Sequence, residues 1–308
     1  MLILFNLYYL ANLMNFLRCG LSLAAVTACF SLISGTATQK ADANPIFNDQ
    51  TQTIEIFVPP PETKQPGICS SNIPSVIDRI LERPALRNSK WGILVQSLNG
   101  ATIYSKSPDS YMIPASNIKL LVTAAALQKL NPQGKIRSRS IQEWITVTNL
   151  RSNNSYADVL LRYLGGYSSV RNILSTIGVD AKGYRMADGS GLSRNNLATP
   201  RTLVNTLRSM YSAKGSDIFL ASLPIAGKTG TLKNRLRYTS AQGTVRAKTG
   251  TLKGVRALSG YVESPQYGTL VFSAIANKPR NGSDAILVST LDEIVLRLST
   301  VTSCASFP

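Results

Sequence analysis

The 308-residue chain contains no histidine. A Ser-His-Asp triad and a histidine-ligated zinc site are therefore both excluded, and any base that activates a serine must be another residue. Acidic residues are scarce, with 16 Asp+Glu against 33 Lys+Arg, which gives a formal charge of +17. That balance suits an anionic partner. The basic residues are scattered, however, and no helix-turn-helix, RNP or zinc-finger spacing is present, so the reading is a solvated basic surface and not nucleic-acid binding. Cysteine is sparse too. Of four, Cys19 and Cys29 fall in an apolar N-terminal segment, which leaves Cys69 and Cys304 near the two ends of the remainder. Neither has neighbours that would make it a nucleophile or a metal ligand. A hydrophobic fraction of 44% over this length supports one large domain or two modest ones.

The N-terminus points to export. From Met14 the chain carries Arg18, an apolar run from Cys19 to Ile33, and small residues ending in Ala41-Asp-Ala43, an A-x-A cleavage site. Residues 1–43 therefore read as a signal peptide. Two alternatives stay open: an uncleaved segment that anchors the chain at a membrane surface, and a lipobox at Val26–Cys29. Each places the rest in the periplasm or cell envelope. Export permits a Cys69–Cys304 disulfide, although sequence does not show that the two meet.

Residues 44–67 are polar and proline-rich, including Pro59-Pro-Pro61, and read as a linker in which Thr53 to Val58 could form a short strand. Residues 68–308 form the folded part. Pro74 to Leu81 has the pattern of an amphipathic helix. Trp91 to Leu98 alternates, Asn99-Gly100 is a hairpin turn, and Ala101 to Ser105 returns. Ser116 to Leu130 is too apolar to face water on any broad side and predicts a buried central helix. Helices follow at 138–149, 156–164, 170–177 and 200–212. Strands return at 243–247, 255–262 and 268–276, and 284–298 closes as a helix. Strands at both ends with helices between them imply an α/β (α+β) fold, one antiparallel sheet built from the two chain ends, with a helical subdomain at about 120–215 inserted into it.

Three short strings carry the chemistry. In Ser116-Asn-Ile-Lys119 the serine and lysine are three apart on a helix, so the amine reaches the hydroxyl. Lysine becomes a base only when desolvation or nearby positive charge lowers its pKa. The apolar helix supplies the first, and Lys248 is a candidate for the second. A serine at a helix N-terminus also brings its own N–H as an oxyanion donor. Ser152-Asn-Asn154 falls in a break between two helices. Ser152 there could relay a proton between Lys119 and a leaving group, and Asn154 could bond a substrate amide; an ordinary helix cap is the plain alternative. Lys248-Thr249-Gly250 ends a β-run, where a lysine and a hydroxyl hold a carboxylate and glycine admits the substrate backbone. The N–H of Thr251 is then the second oxyanion donor. KTGTLK occurs twice, at 228–233 and 248–253. Only the second lies between clear strands and is assigned to the site; the first reads as a loop that is either a cleft wall or a turn.

These strings occur in the order found in penicillin-recognising serine enzymes. With 147–154 (VTNLRSNN), 188–194 (DGSGLSR), 230–235 (GTLKNR) and 245–252 (VRAKTGTL), the chain more closely resembles the D-alanyl-D-alanine carboxypeptidase/endopeptidase family, the class C low-molecular-mass or S13 type of penicillin-binding protein. The resemblance runs from about 73 to 298. It implies a penicillin-binding protein/β-lactamase-like transpeptidase fold, no metal or cofactor, peptidoglycan stem peptides as substrate and β-lactams as ligands. It also implies catalytic roles for Ser116, Lys119 and Ser152, and substrate binding by Asn154, Lys248, Thr249, Gly250 and Thr251. Two features depart from the family. Only residues 120–151 separate the first two motifs, where relatives carry inserted domains, and Asn153 stands where Asp is usual. Rival readings are a β-lactamase, for which Glu143 is the only glutamate between the first two motifs and none lies between Asn154 and Lys248, and a catalytically silent wall-binding protein.

Overall fold

The computed structural model describes residues 67–264, 267–279 and 284–304. The expected signal peptide and almost all of the expected linker lie outside the described residues. The described chain begins at β1 (Ile68–Cys69) and enters α1 (Ile73–Leu81), whose Ile73, Ile77, Ile80 and Leu81 are buried at helical spacing. The alternating segment forms β2 (Lys90–Ser97), which turns at Gly100 (φ +94°) into β3 (Thr102–Lys106). A short 3-10 turn, Ala115–Asn117, leads into α2 (Ile118–Lys129). Ten of its twelve residues are buried, as its apolar composition predicts.

A small hairpin, β4 (Lys135–Ile136) and β5 (Arg139–Ser140), precedes α3 (Ile141–Leu150). The helix expected from residue 138 starts later because Ser140 is its N-cap, accepting the Glu143 N–H. Next come α4 (Asn154–Leu164) and α5 (Gly166–Ser175), separated by Gly165 at φ +96°. The pair β6 (Tyr184–Arg185) and β7 (Leu197–Ala198) brackets the DGSGLSR segment, and α6 (Pro200–Met210) starts with Pro200 behind a Thr199 cap. α7 (Ser216–Ser222) was not anticipated; at seven residues it is too short to show a clear period.

The chain then returns to the sheet through β8 (Val245–Leu252), β9 (Val255–Ser264) and β10 (Gly268–Asn277), followed by α8 (Ala285–Ser299) and β11 (Val301–Thr302). The five-stranded sheet has the order β3-β2-β10-β9-β8, all antiparallel, and so is assembled from both chain ends. Period two divides its side chains between two layers. Ala257, Tyr261, Val271 and Ile275 face the core shared with α2 and α6, while Leu258, Val262, Leu270 and Phe272 face the core shared with α1 and α8. The Cys69–Cys304 disulfide ties the two ends together beside the parallel β1–β11 pair, with Cα atoms 4.8 Å apart. No helix among the described residues is long and apolar enough to cross a membrane.

Candidate active site

The cleft lies where the start of α2, the break between α3 and α4, and the edge of β8 meet. It is lined by Ser116, Ser152, Asn154, Thr249 and Thr251 among others, with a volume of about 490 Å³. That size suits a small peptide or drug-sized ligand.

Ser116 sits in the 3-10 turn, directly after Ala115, which is fully buried at φ +47°. A residue with a Cβ rarely adopts this conformation, and here packing holds it. Asn117 pins the turn to the sheet: its amide donates to Ser259 Oγ at 2.7 Å, and Ser259 donates to Ser273 at 2.9 Å. Gly191 and Gly250 close against the same turn. A Cβ on Gly191 would fall 2.1 Å from the Ala115 carbonyl and 2.8 Å from the Ser116 nitrogen, so only glycine fits against this turn. A Cβ on Gly250 would fall 2.6 Å from the Pro114 carbonyl. Glycine at 250 therefore makes room for the Ser116 turn, a packing demand that the sequence reading does not include.

Lys119 is fully buried. Its Nζ donates to Ser116 Oγ at 2.8 Å, to Asn154 Oδ1 at 2.9 Å and to the Ser190 carbonyl. Burial pushes its pKa down from the usual lysine value to about 8, against the opposing pull of Asp158 and Asp188. The two carboxylates also build the DGSGLSR loop. Asp158 accepts the Gly189 and Ser190 N–H groups at 2.9 Å, and Asp188 accepts those of Gly191 and Ser193 at 2.6 and 2.7 Å. These bonds, with one from Asn196, hold the Asp188 carboxyl below the ordinary range despite its burial. The loop thereby presents the Ser190 carbonyl to Lys119. Sequence reasoning did not single out Asp158, Asp188 or Ser190 as site residues, although the DGSGLSR string was the available signal.

Ser152, like Ala115, is a non-glycine residue in the left-handed region, at φ +55°. Asn153 caps α4 through a 3.0 Å bond from the Tyr156 N–H, a task that Asp would perform equally well. Asn154 uses its Oδ1 on Lys119, which leaves the amide NH₂ for a ligand. Lys248 is also fully buried, and its Nζ donates to Ser152 Oγ at 2.8 Å and to the Thr249 carbonyl at 3.0 Å. Ser152 is therefore bonded to Lys248 and not to Lys119, a correction to the expected relay partner. Burial, and then the proximity of Lys119, hold the Lys248 pKa well below the usual value.

β8 is an edge strand that runs on through the Lys248-Thr-Gly string to Leu252, beyond the expected end at 247. Among the described residues its outer edge is covered only at the start, where Ala226 N–H donates to the Val245 carbonyl and Ala247 N–H to Pro224. In an antiparallel ladder alternate residues share a direction, so the backbone N–H groups of Thr249 and Thr251 point outward into the cleft with that of Ala247. Arg235 and Arg256 complete the wall. Asp292 holds the first at 2.6 Å, and Asp284 holds the second at 3.2 Å. Glu143, the candidate base for a β-lactamase, pairs instead with Arg139 and does not line the cleft. Among the described residues no group of three or more Cys, Asp or Glu is placed to hold a metal ion.

A family model described as "D-Ala-D-Ala carboxypeptidase 3 (S13) family" matches residues 74–143 and 134–294. A D-alanyl-D-alanine carboxypeptidase of Actinomadura sp. (strain R39) is 43% identical over 164 residues, covering 48% of this chain and 30% of that protein. A penicillin-sensitive carboxypeptidase A of Dictyostelium discoideum is 33% identical over 185 residues, covering 54% and 35%. The chain thus spans about a third of the length of these relatives. Among solved structures, penicillin binding protein 4 of Haemophilus influenzae aligns with a TM-score of 0.62 at 15% identity, covering 73% of this chain and 99% of that one. A β-lactamase of Chitinophaga pinensis aligns with a TM-score of 0.62 at 20% identity, covering 74% and 98%. At these identities the structural likeness establishes the fold alone.

Proposed function

Because the chain belongs to the D-Ala-D-Ala carboxypeptidase 3 (S13) family, we propose that it is an exported serine carboxypeptidase acting on peptidoglycan stem peptides, and that it binds penicillin. The observation that carries this reading is the 2.8 Å contact between Lys119 Nζ and Ser116 Oγ, made by a fully buried amine. A neutral Lys119 takes the Ser116 proton as Oγ attacks the penultimate D-Ala carbonyl. Negative charge gathers on the carbonyl oxygen, which the N–H groups of Ser116 and Thr251 hold. As the peptide C–N bond breaks, the Ser152–Lys248 pair passes a proton to the departing D-Ala nitrogen. Thr249 holds the terminal carboxylate, with the Arg235 and Arg256 guanidiniums on the same wall of the cleft. Lys119 then loses the proton it took and the Ser152–Lys248 pair regains one, both by exchange with solvent; water cleaves the Ser116 ester as neutral Lys119 accepts its proton and returns it to Ser116 Oγ.

The same acyl-enzyme would serve an endopeptidase, since a peptide crosslink offers the same D-Ala carbonyl with a bulkier leaving amine. A β-lactam opens on Ser116 in the same way, but its leaving nitrogen stays tethered, so the ester persists. The basic surface suits an anionic wall or membrane face.

Intact-mass measurement of residues 44–308 after benzylpenicillin treatment tests the reading. A one-to-one adduct on the parent protein, absent from Ser116→Ala, is expected. A parent protein that gains no adduct and consumes no penicillin would sink the proposal.

A further inference from the structure

The two copies of KTGTLK fold differently. The second lies along β8 with Lys248 buried, whereas the first forms a turn and a 3-10 helix, Gly230–Leu232, that leaves Lys228 exposed. The turn is locked by reciprocal bonds. Ile225 N–H donates to Thr229 Oγ1 and Thr229 N–H to the Ile225 carbonyl, both at 3.0 Å, and Gly227 N–H donates to Leu232 at the same distance. Gly230, at φ +56°, packs on the end of α3, where a Cβ would come within 2.4 Å of the Leu150 carbonyl. Leu232 is fully buried. Thr231, held between these two anchors, is turned into the cleft, and Thr249 Oγ1 donates to its Oγ1 at 2.7 Å. What the first copy contributes to the cleft is thus a hydroxyl paired with the threonine of the second.

We propose that Thr231 is a positioning residue for the substrate's terminal carboxylate, acting through Thr249. The proposal rests on the carboxypeptidase reading above. Thr249 has one hydroxyl proton, and in the free protein it gives that proton to Thr231. A carboxylate only accepts, so to bind one Thr249 must turn its proton into the cleft. Thr231 then donates its own proton to Thr249 Oγ1, and the pair stays bonded with its direction reversed. No proton changes owner. The reversed pair fixes the Thr249 rotamer and polarises its O–H toward the anion. The gain is largest for a charged acceptor, because charge-assisted bonds are about twice as strong as neutral ones.

The test compares Thr231→Val and Thr231→Ser with the parent protein in the second-order rate of acylation by benzylpenicillin and by its methyl ester. Val replaces the hydroxyl with a methyl at nearly constant volume on an exposed residue, and unchanged Tm confirms an intact fold. Val is expected to slow the free acid about three- to tenfold, the loss of one hydrogen bond, and to change the ester by less than about twofold. Ser is expected to restore the parent rate. Equal slowing of acid and ester by Val, or no slowing of the acid, overturns the proposal while leaving the carboxypeptidase reading intact. A parent protein that neither acylates nor consumes penicillin overturns that reading, and this one with it.

Discussion

Lys248 Nζ lies 2.8 Å from Ser152 Oγ, so a strand lysine, and not the helix lysine next to Ser116, carries the serine of the second motif. The two buried amines therefore have separate partners: Lys119 serves Ser116, the proposed nucleophile, and Lys248 serves the proposed proton donor to the leaving group. Losing Ser152 strips Lys248 of its one side-chain acceptor among the described residues. We expect Ser152→Ala to slow acylation by a D-Ala-D-Ala peptide about 100-fold, measured by single-turnover kinetics. Ser152→Gly should lose activity similarly yet melt higher than Ser152→Ala. Glycine relieves the left-handed φ of +55°, by about 1 kcal/mol.

The pH dependence follows from the Lys119 pKa of about 8. Attack requires the neutral amine, whose population grows as pH rises through that value. Acylation by penicillin should therefore climb about tenfold per unit below pH 8 and level off above it. Asp158 pulls this pKa upward. Asp158→Asn keeps an oxygen for the Gly189 and Ser190 N–H groups but removes the charge, so the midpoint should move to lower pH. A midpoint unmoved or shifted upward in a full pH–rate profile would count against Lys119 as the base.

Gly250 is required by its neighbours. Its Cβ would stand 2.6 Å from the Pro114 carbonyl and 3.0 Å from Ala257 Cβ. Gly250→Ala should push β8 off the nucleophile turn, costing about 1–3 kcal/mol. Thermal melting should register the loss of stability, and penicillin acylation should slow in parallel because Thr251 moves with the strand.

The Cys69–Cys304 disulfide closes a loop with a sequence separation of 235. Cross-linking so distant a pair restricts the unfolded chain strongly. We expect Cys69→Ser, or thorough reduction, to lower stability by about 2–4 kcal/mol, read as a drop in Tm. Acylation at moderate temperature should persist, since β1 and β11 lie outside the cleft.

Much of this site was legible because its signals are local. A serine and a lysine three apart in an apolar segment need only the helical period to meet, and an alternating run with Asn-Gly at its turn needs only the hairpin rule. Asp158, Asp188 and Ser190 were not singled out because their importance lies in which backbone they face. Read along the chain, Asp158 is an ordinary polar residue of a helix, and only the folded loop brings Gly189 and Ser190 onto its carboxylate. Arg235 and Arg256 likewise look like part of a scattered basic surface until Asp292 and Asp284 hold them at the cleft.

By itself, then, the sequence determined the candidate nucleophile and the lysine placed to serve it, the exclusion of histidine chemistry, and a sheet built from both chain ends, because each follows from residue type and short-range period. Tertiary structure alone decided that Lys248 serves Ser152, that Gly250 makes room for the Ser116 turn, and that the first KTGTLK copy, legible as a loop, lines the cleft through Thr231. The physical reason is that six identical residues carry identical local preferences. Their flanking residues mark the second copy as a strand and the first as a loop, but which side chains then meet across the cleft follows only from long-range packing.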